Sequence, residues 1–187
     1  RASEHSSPRY SGYANPPRTP RATHTRSTIL PMDRKPGRPR ALTVDMIAQA
    51  ALDDGIATFS MPSVARRLGV AHSGLYRYVT DRDELLMTAL ERAIAEVSWP
   101  SADLEWRELL EAIGTTIWQM CERHPGLDRA ALSAPKSPPG AEVFVEQYIA
   151  SIQRQGFLLE DAAVAVEFVM TLALSASAEM ARLRAIE

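Results

Sequence analysis

One cysteine, Cys121, stands in 187 residues. It cannot close an internal disulfide, and no second thiol is present to share a metal. Set among apolar residues at helical spacing, it reads as a buried, inert thiol, which suits a reducing cytoplasm. Aromatic residues are scarce, 6% of a chain that is 45% hydrophobic, so the core is built largely of Ala and Leu and favours helices over sheet. The four histidines (His5, His24, His72 and His124) are dispersed. With no metal-ligand spacing and no glycine-rich phosphate loop, nothing supports an enzyme, and no metal or cofactor is expected. Residues 1–30 lack the apolar stretch of a secretory signal, so the expected compartment is the cytoplasm. Residues 162–178 are apolar apart from Glu167. They are studded with Ala and Ser and fall short of the ~20 residues a membrane span needs. They are read as a buried packing helix, with no membrane partner.

Charge is present but unevenly placed. Up to Leu42 nine Lys/Arg face two acids, +7; the total of −2 then leaves −9 on the remainder. A basic arm on an acidic body fits a protein that meets a polyanion at one end only. The same arm, residues 1–40, holds seven of the thirteen prolines and almost no apolar periodicity, so it is expected to be disordered. Met32 lies just before its Asp-Arg-Lys-Pro-Gly-Arg-Pro-Arg run and is a candidate natural start.

Beyond the arm the pattern is helical. Thr43 precedes Val44, Ile47, Ala48, Ala51 and Leu52, spaced as the packed face of a helix that Gly55 ends. Ser60 caps a second helix through Val64, Ala65 and Leu68 to Gly69, with Pro62 in its first turn. A third covers about 71–79. Asp81, with Glu84 three residues on, has capping-box spacing and opens a long helix through Val97. Further helices are expected from Trp106 to Cys121, over 127–132, over 141–155 and from Glu160 onward, about eight in all with no strand. The fold class is all-α. Its domains are the arm, a three-helix helix-turn-helix unit over 41–88, and a helical body over 89–187. The last helix shows no clear stop signal, which leaves open a further helix beyond it.

The segment 60–86, SMPSVARRLGVAHSGLYRYVTDRDELL, carries most information. Two short helices about a tight Gly-containing turn form a helix-turn-helix, whose second helix fits the major groove. Val64, Ala65 and Leu68 face Val70 and Leu75 around the second helix.

The chain here resembles the TetR family of transcriptional regulators over about 43–97. The carriers are Ala48-Gln49-Ala50-Ala51-Leu52 before Gly55, Val64-Ala65-Arg66-Arg67-Leu68-Gly69-Val70, Leu75-Tyr76-Arg77-Tyr78-Val79, and Arg82-Asp83-Glu84-Leu85-Leu86. The resemblance implies that Tyr76 bonds a DNA phosphate and that Arg82 does so at a helix N-terminus, where an anion is already favoured. Thr43 would present the first helix's N–H groups in the same way. His72, Ser73, Gly74 and Arg77 stand where the family reads base edges, Arg77 being suited to guanine O6 and N7. Arg38 and Arg40, on the Pro/Gly arm, suit the minor groove. Tyr78 is read equally as a DNA contact and as a cover for the small core. Tyr76 has the same core alternative, Arg66 and Arg67 read as a solvated face, and Arg82 as a balance to Asp81 and Asp83. Pro62 and Ser63 depart from the family, which often places a long basic side chain there, and this weighs against base contacts from the second helix.

For the body, the resemblance implies a ligand cavity and a homodimer made by the last long helices. Ala162, Ala165, Phe168, Val169, Leu172, Ala173, Ala176 and Met180 give a broad apolar face with small residues, suited to close helix contacts. Trp99, Trp106, Trp118, Met120, Cys121, Phe144, Tyr148 and Phe168 are candidates to line a pocket, and would equally describe a helical core. The acids show no clustering that suggests a basic ligand. The reading is a ligand-responsive regulator, a repressor by preference, that binds a palindromic operator as a homodimer and is released by a small-molecule effector. The alternative is a helical adaptor for protein partners that never touches DNA, which leaves Tyr76, Arg77 and Arg82 unexplained.

Overall fold

Thr43 starts the first helix as its sequence predicts. Its side-chain oxygen accepts the Met46 N–H at 3.2 Å, capping α1 (Val44–Gly55). Ser60 caps α2 (Met61–Leu68) in a reciprocal box with Ser63, and Gly69 ends that helix in the left-handed region at φ +66°. After α3 (His72–Leu75), Asp81 caps α4 (Arg82–Ala95) by accepting the Glu84 N–H at 2.8 Å. The other half of the expected box is redirected: the Glu84 carboxylate accepts from the backbone N–H and hydroxyl of Thr80. These two bonds hold the Glu84 carboxyl below its ordinary pKa.

The computed structural model describes residues 41–186. Among them are eight helices and no strand, the remaining four being α5 (Trp106–Arg123), α6 (Leu127–Leu132), α7 (Pro139–Arg154) and α8 (Leu159–Arg184). Residues 1–40, with Met32 and the arm arginines Arg38 and Arg40, lie outside the described residues. The all-α class holds for those described.

α1 packs on α2 and α4, and α2 on α3, which makes the three-helix unit. In the body α8 lies along α5, α6 and α7, and α4 runs on to touch α6 and α7. One apolar core runs from Ile47 through Leu85, Leu109 and Ile117 to Val166. Helix α4 passes unbroken across residue 88, where the sequence reading divides the domains.

Three expectations need correction. The third helix is one turn of α-helix over 72–75, not 71–79. Turns at 76–78 follow it, closed by Val79 N–H to Leu75 C=O at 3.1 Å. Gly74 weakens helix there, and the fully buried Leu75 and nearly buried Val79 pin the segment by packing instead. Burying Leu75 contributes about 1.5–3 kcal/mol. Val44, expected on the packed face of α1, is 42% exposed at the helix start. Helix α8 is less buried than a core helix: Ala162 and Val166 are enclosed, but Val164, Phe168, Leu172 and Met180 face outward. By length and composition α8 is apolar enough to cross a membrane; here one of its faces lies along α5, α6 and α7.

Candidate functional site

The turn between α2 and α3 depends on Gly69. Its left-handed backbone lets its own N–H reach Arg66 C=O at 3.1 Å and that of Val70 reach Ala65 C=O at 3.0 Å. Val64, Ala65 and Leu75 are buried, with Leu68 and Val70 half-buried beside them. With Leu75 and Val79 turned inward, His72, Ser73, Tyr76, Arg77 and Tyr78 all face solvent. Tyr76 is 49% exposed and Tyr78 37%. Tyr76 Oη stands 3.4 Å from His72 Nε2, with the rings edge to face. A Cβ on Gly74 would meet nothing within 4 Å, so packing does not require glycine there. Arg66 and Arg67 are exposed; Arg67 donates to Asp53 C=O and lies 3.6 Å from the Asp54 carboxylate.

Arg82 has a tie that sequence reasoning missed. Its Nε donates to Phe59 C=O at 3.2 Å, and the guanidinium lies over the Phe59 ring, 4.7 Å from its centre. It anchors the α1–α2 turn to α4 rather than balancing Asp81 and Asp83. The same turn is gripped from the body: Gly126, at φ +89°, leaves room that a Cβ would fill 3.0 Å from the Ala57 Cβ.

Helix α4 carries further ties. Arg92 reaches Asp45 and Gln49 on α1 and pairs with Glu96 at 3.2 Å, and Glu96 meets His124 at 3.1 Å at the end of α5. The Glu91 carboxylate accepts the Gly140 N–H at 2.9 Å, in the first turn of α7, where Pro139 has no N–H to offer. A Cβ on Gly140 would lie 2.6 Å from Glu91 Oε2, so glycine permits this contact. Helical periodicity marks Glu91 only as a polar position.

An apolar cavity of about 370 Å³ opens behind Glu91, between α4, α5, α6, α8 and the start of α7. Of the eight pocket candidates, Trp99 and Met120 line it. Trp99 donates to Ile94 C=O at 2.9 Å and stacks on Phe144, itself stacked on Tyr148. Tyr148 is core, its hydroxyl donating to Pro100 C=O, and burial pushes its pKa up to about 12. Trp106 packs edge to face on Phe157, away from the cavity. Trp118 and Cys121 border a separate hollow of about 250 Å³ near Ala57, Asp128 and Ser177. Burial there pushes the Cys121 thiol up to about 11. Phe168, 64% exposed, lines none of these. An adjoining hollow of about 530 Å³ shares Ser137, Ala141, Met170 and Leu174 with the apolar cavity and is bordered by Glu142, Glu146 and Glu167. These three glutamates, all exposed, border one hollow through the contact of α7 with α8, which linear spacing does not show.

The three-helix unit with its outward α3 defines the helix-turn-helix class. No family model matches the sequence. The chain is 35% identical over 132 residues to the HTH-type transcriptional repressor DrrR1 of Streptomyces coeruleorubidus, spanning 66% of this chain and 48% of that protein. It is 30% identical over 121 residues to an HTH-type transcriptional regulator of Saccharopolyspora erythraea, 62% of this chain and 51% of that one. The chain thus spans about half the length of these curated relatives. Among solved structures it resembles apo ActR of Streptomyces coelicolor, at TM-score 0.67 and 27% identity over 76% of this chain and 72% of that one. ActR, described as a TetR family protein, is also solved in complex with (S)-DNPA and with actinorhodin. The chain is thus similar in fold to a TetR family protein and in sequence to HTH-type transcriptional regulators.

Proposed function

We propose that the protein is a transcriptional repressor that binds a palindromic operator as a homodimer and lets go when a small molecule fills its body. The observation that carries this reading is the outward face of α3 and of the turn that follows it. His72, Ser73, Tyr76, Arg77 and Tyr78 are all exposed, on a turn held from beneath by Leu75 and Val79. Polar and cationic side chains on a rigid helix-turn-helix are what base and phosphate contacts require. Arg77 reads a guanine, Tyr76 and Tyr78 hold phosphates, and Thr43 presents the start of α1. Arg82 acts chiefly by fixing the reading unit to α4. Arg38 and Arg40 add minor-groove contacts from the arm. The reading unit is 41–88 and the body 89–187, with α4 common to both.

The outward apolar face of α8 supports the dimer, with Val164, Phe168 and Leu172 exposed among the described residues. The ties of α4 to α1, α5 and α7 support coupling. A ligand in the cavity shifts DNA affinity by its difference in affinity for the two arrangements of α4 and the reading unit. The relatives' names favour a repressor over the adaptor.

Selection of DNA from a random-sequence pool by the purified full chain tests the reading. The expected result is a palindromic motif with half-sites one helical turn or a multiple apart, about 34–36 Å per turn, and binding that weakens steeply with salt. A folded protein that recovers no motif at low salt would refute operator binding.

A further inference from the structure

We propose that Gly74 is a specificity-determining residue of the reading unit: the side chain it lacks leaves a gap that seats the C5 methyl of a thymine. The inference rests on the operator-binding reading above and names one base within it. It is carried by a glycine that the fold does not explain. Seven glycines lie among the described residues, and six have a reason in backbone or packing. Gly55, Gly69, Gly126 and Gly156 hold left-handed backbone, a Cβ on Gly114 would reach Val169, and one on Gly140 would strike Glu91. Gly74 has no such reason. Its φ lies outside the left-handed region, and a Cβ there would meet nothing within 4 Å. Within a helix only proline is less favoured than glycine, so α3 carries a cost that alanine would remove.

The place of the gap decides what fills it. Gly74 stands in the segment whose exposed side chains, His72, Ser73, Tyr76 and Arg77, form the reading face. Arg77 comes three residues later and Ala71, also exposed, three residues before. Residues three apart on a helix are neighbours, so the gap lies between the arginine and the alanine methyl. The Gly74 N–H is already engaged, donating to Ala71 C=O at 2.8 Å. Neither Gly74 nor Ala71 has a polar side chain, so the gap does not read by hydrogen bonds. Of the groups that base edges present in the major groove, the thymine C5 methyl is the apolar one. A methyl that enters the gap packs on the Gly74 Cα and the Ala71 methyl, where a side chain at 74 would displace it.

The test uses the full chain and the motif it selects, synthesised with deoxyuridine in place of each thymidine in turn, which removes only the C5 methyl. At one position in each half-site this should weaken wild-type binding about fourfold, the worth of one buried methyl. Gly74→Ala should bind the thymine duplex about tenfold more weakly, on the scale of one mismatched pair. It should recover most of that loss on the deoxyuridine duplex, because its own methyl now fills the gap. Gly74→Val should lose more than Gly74→Ala. Melting of the protein alone should run the other way, Gly74→Ala about 1–4 °C above wild type and Gly74→Val below Gly74→Ala. If glycine served instead to loosen α3, the loss of binding would follow helix propensity, and alanine would lose more than valine. That order, or a loss in Gly74→Ala that deoxyuridine does not relieve, overturns the proposal. A motif that Gly74→Ala reads as well as wild type overturns this assignment alone, whereas a wild-type chain that selects no motif overturns the operator reading and this assignment with it.

Discussion

Arg77 and Arg82 are five residues apart, and both are cations of the reading unit, yet the structure gives them different physical work. Arg77 is exposed and makes no hydrogen bond or ion pair with a described residue, so its fork is available to a base. Arg77→Ala should cost about 1–3 kcal/mol at one base pair and relax the preference there. Binding measured across single-site operator variants checks this, and an even loss on every sequence would remove the base-reading role. Arg82 is bonded to the Phe59 carbonyl and stacked on its ring. Arg82→Ala should lower folding stability by about 1.5–3 kcal/mol, as loss of a charged hydrogen bond does, and weaken all DNA sequences alike; thermal melting of the protein alone separates the two effects. At Cys121, a buried thiol with its pKa raised to about 11 is neutral at pH 8. Iodoacetamide at that pH should leave it unmodified in the native protein and alkylate it after denaturation, as mass spectrometry would show.

Among elements, one carboxylate helps to tie α4 to α7. Glu91→Ala should cost about 0.5–2 kcal/mol, the range for a lost helix cap. Gly140→Ala should cost a similar amount by pushing the carboxylate away. In the double variant the two costs should not add, because they report one contact; denaturant melts of the four proteins check the cycle. What the sequence made legible at this scale follows from which forces are local. Caps at Thr43, Ser60 and Asp81, helix ends at Gly55 and Gly69, and the number of helices depend on neighbours within four residues, and they read correctly. The length of α3 did not, because its last turn is set by how Leu75 and Val79 pack against other helices. The outward residues of α3 and of the turn after it followed from the motif. Of the pocket candidates only Trp99 and Met120 reach the cavity, since an aromatic residue's composition does not say which face of the bundle it joins. Glu91, Gly140 and the acids of the outer hollow were hidden for the same reason, being meetings of residues from separate helices.

At the scale of the whole molecule, the outer face of α8 presents exposed apolar residues among those described. In the homodimer proposed above, a stripe of Val164, Phe168 and Leu172 would meet its own copy across a twofold axis. Phe168→Glu should convert a dimer to a monomer in sedimentation while melting as a folded protein, and its affinity for a full palindrome should fall toward that for a half-site. Retention of the dimer would place the twofold contact elsewhere.

The contact of Gly126 with Ala57 bears on heredity as much as on shape. A side chain at residue 126 would face both a left-handed backbone and a methyl group 3.0 Å away. The strain would be passed to the turn that leads into α2. In a reporter strain, a colony screen for lost repression should therefore return lesions at Gly126 and Ala57 alongside those at Arg77. Under the proposed function they would be inherited as loss-of-repression alleles at codons outside the proposed DNA-reading residues.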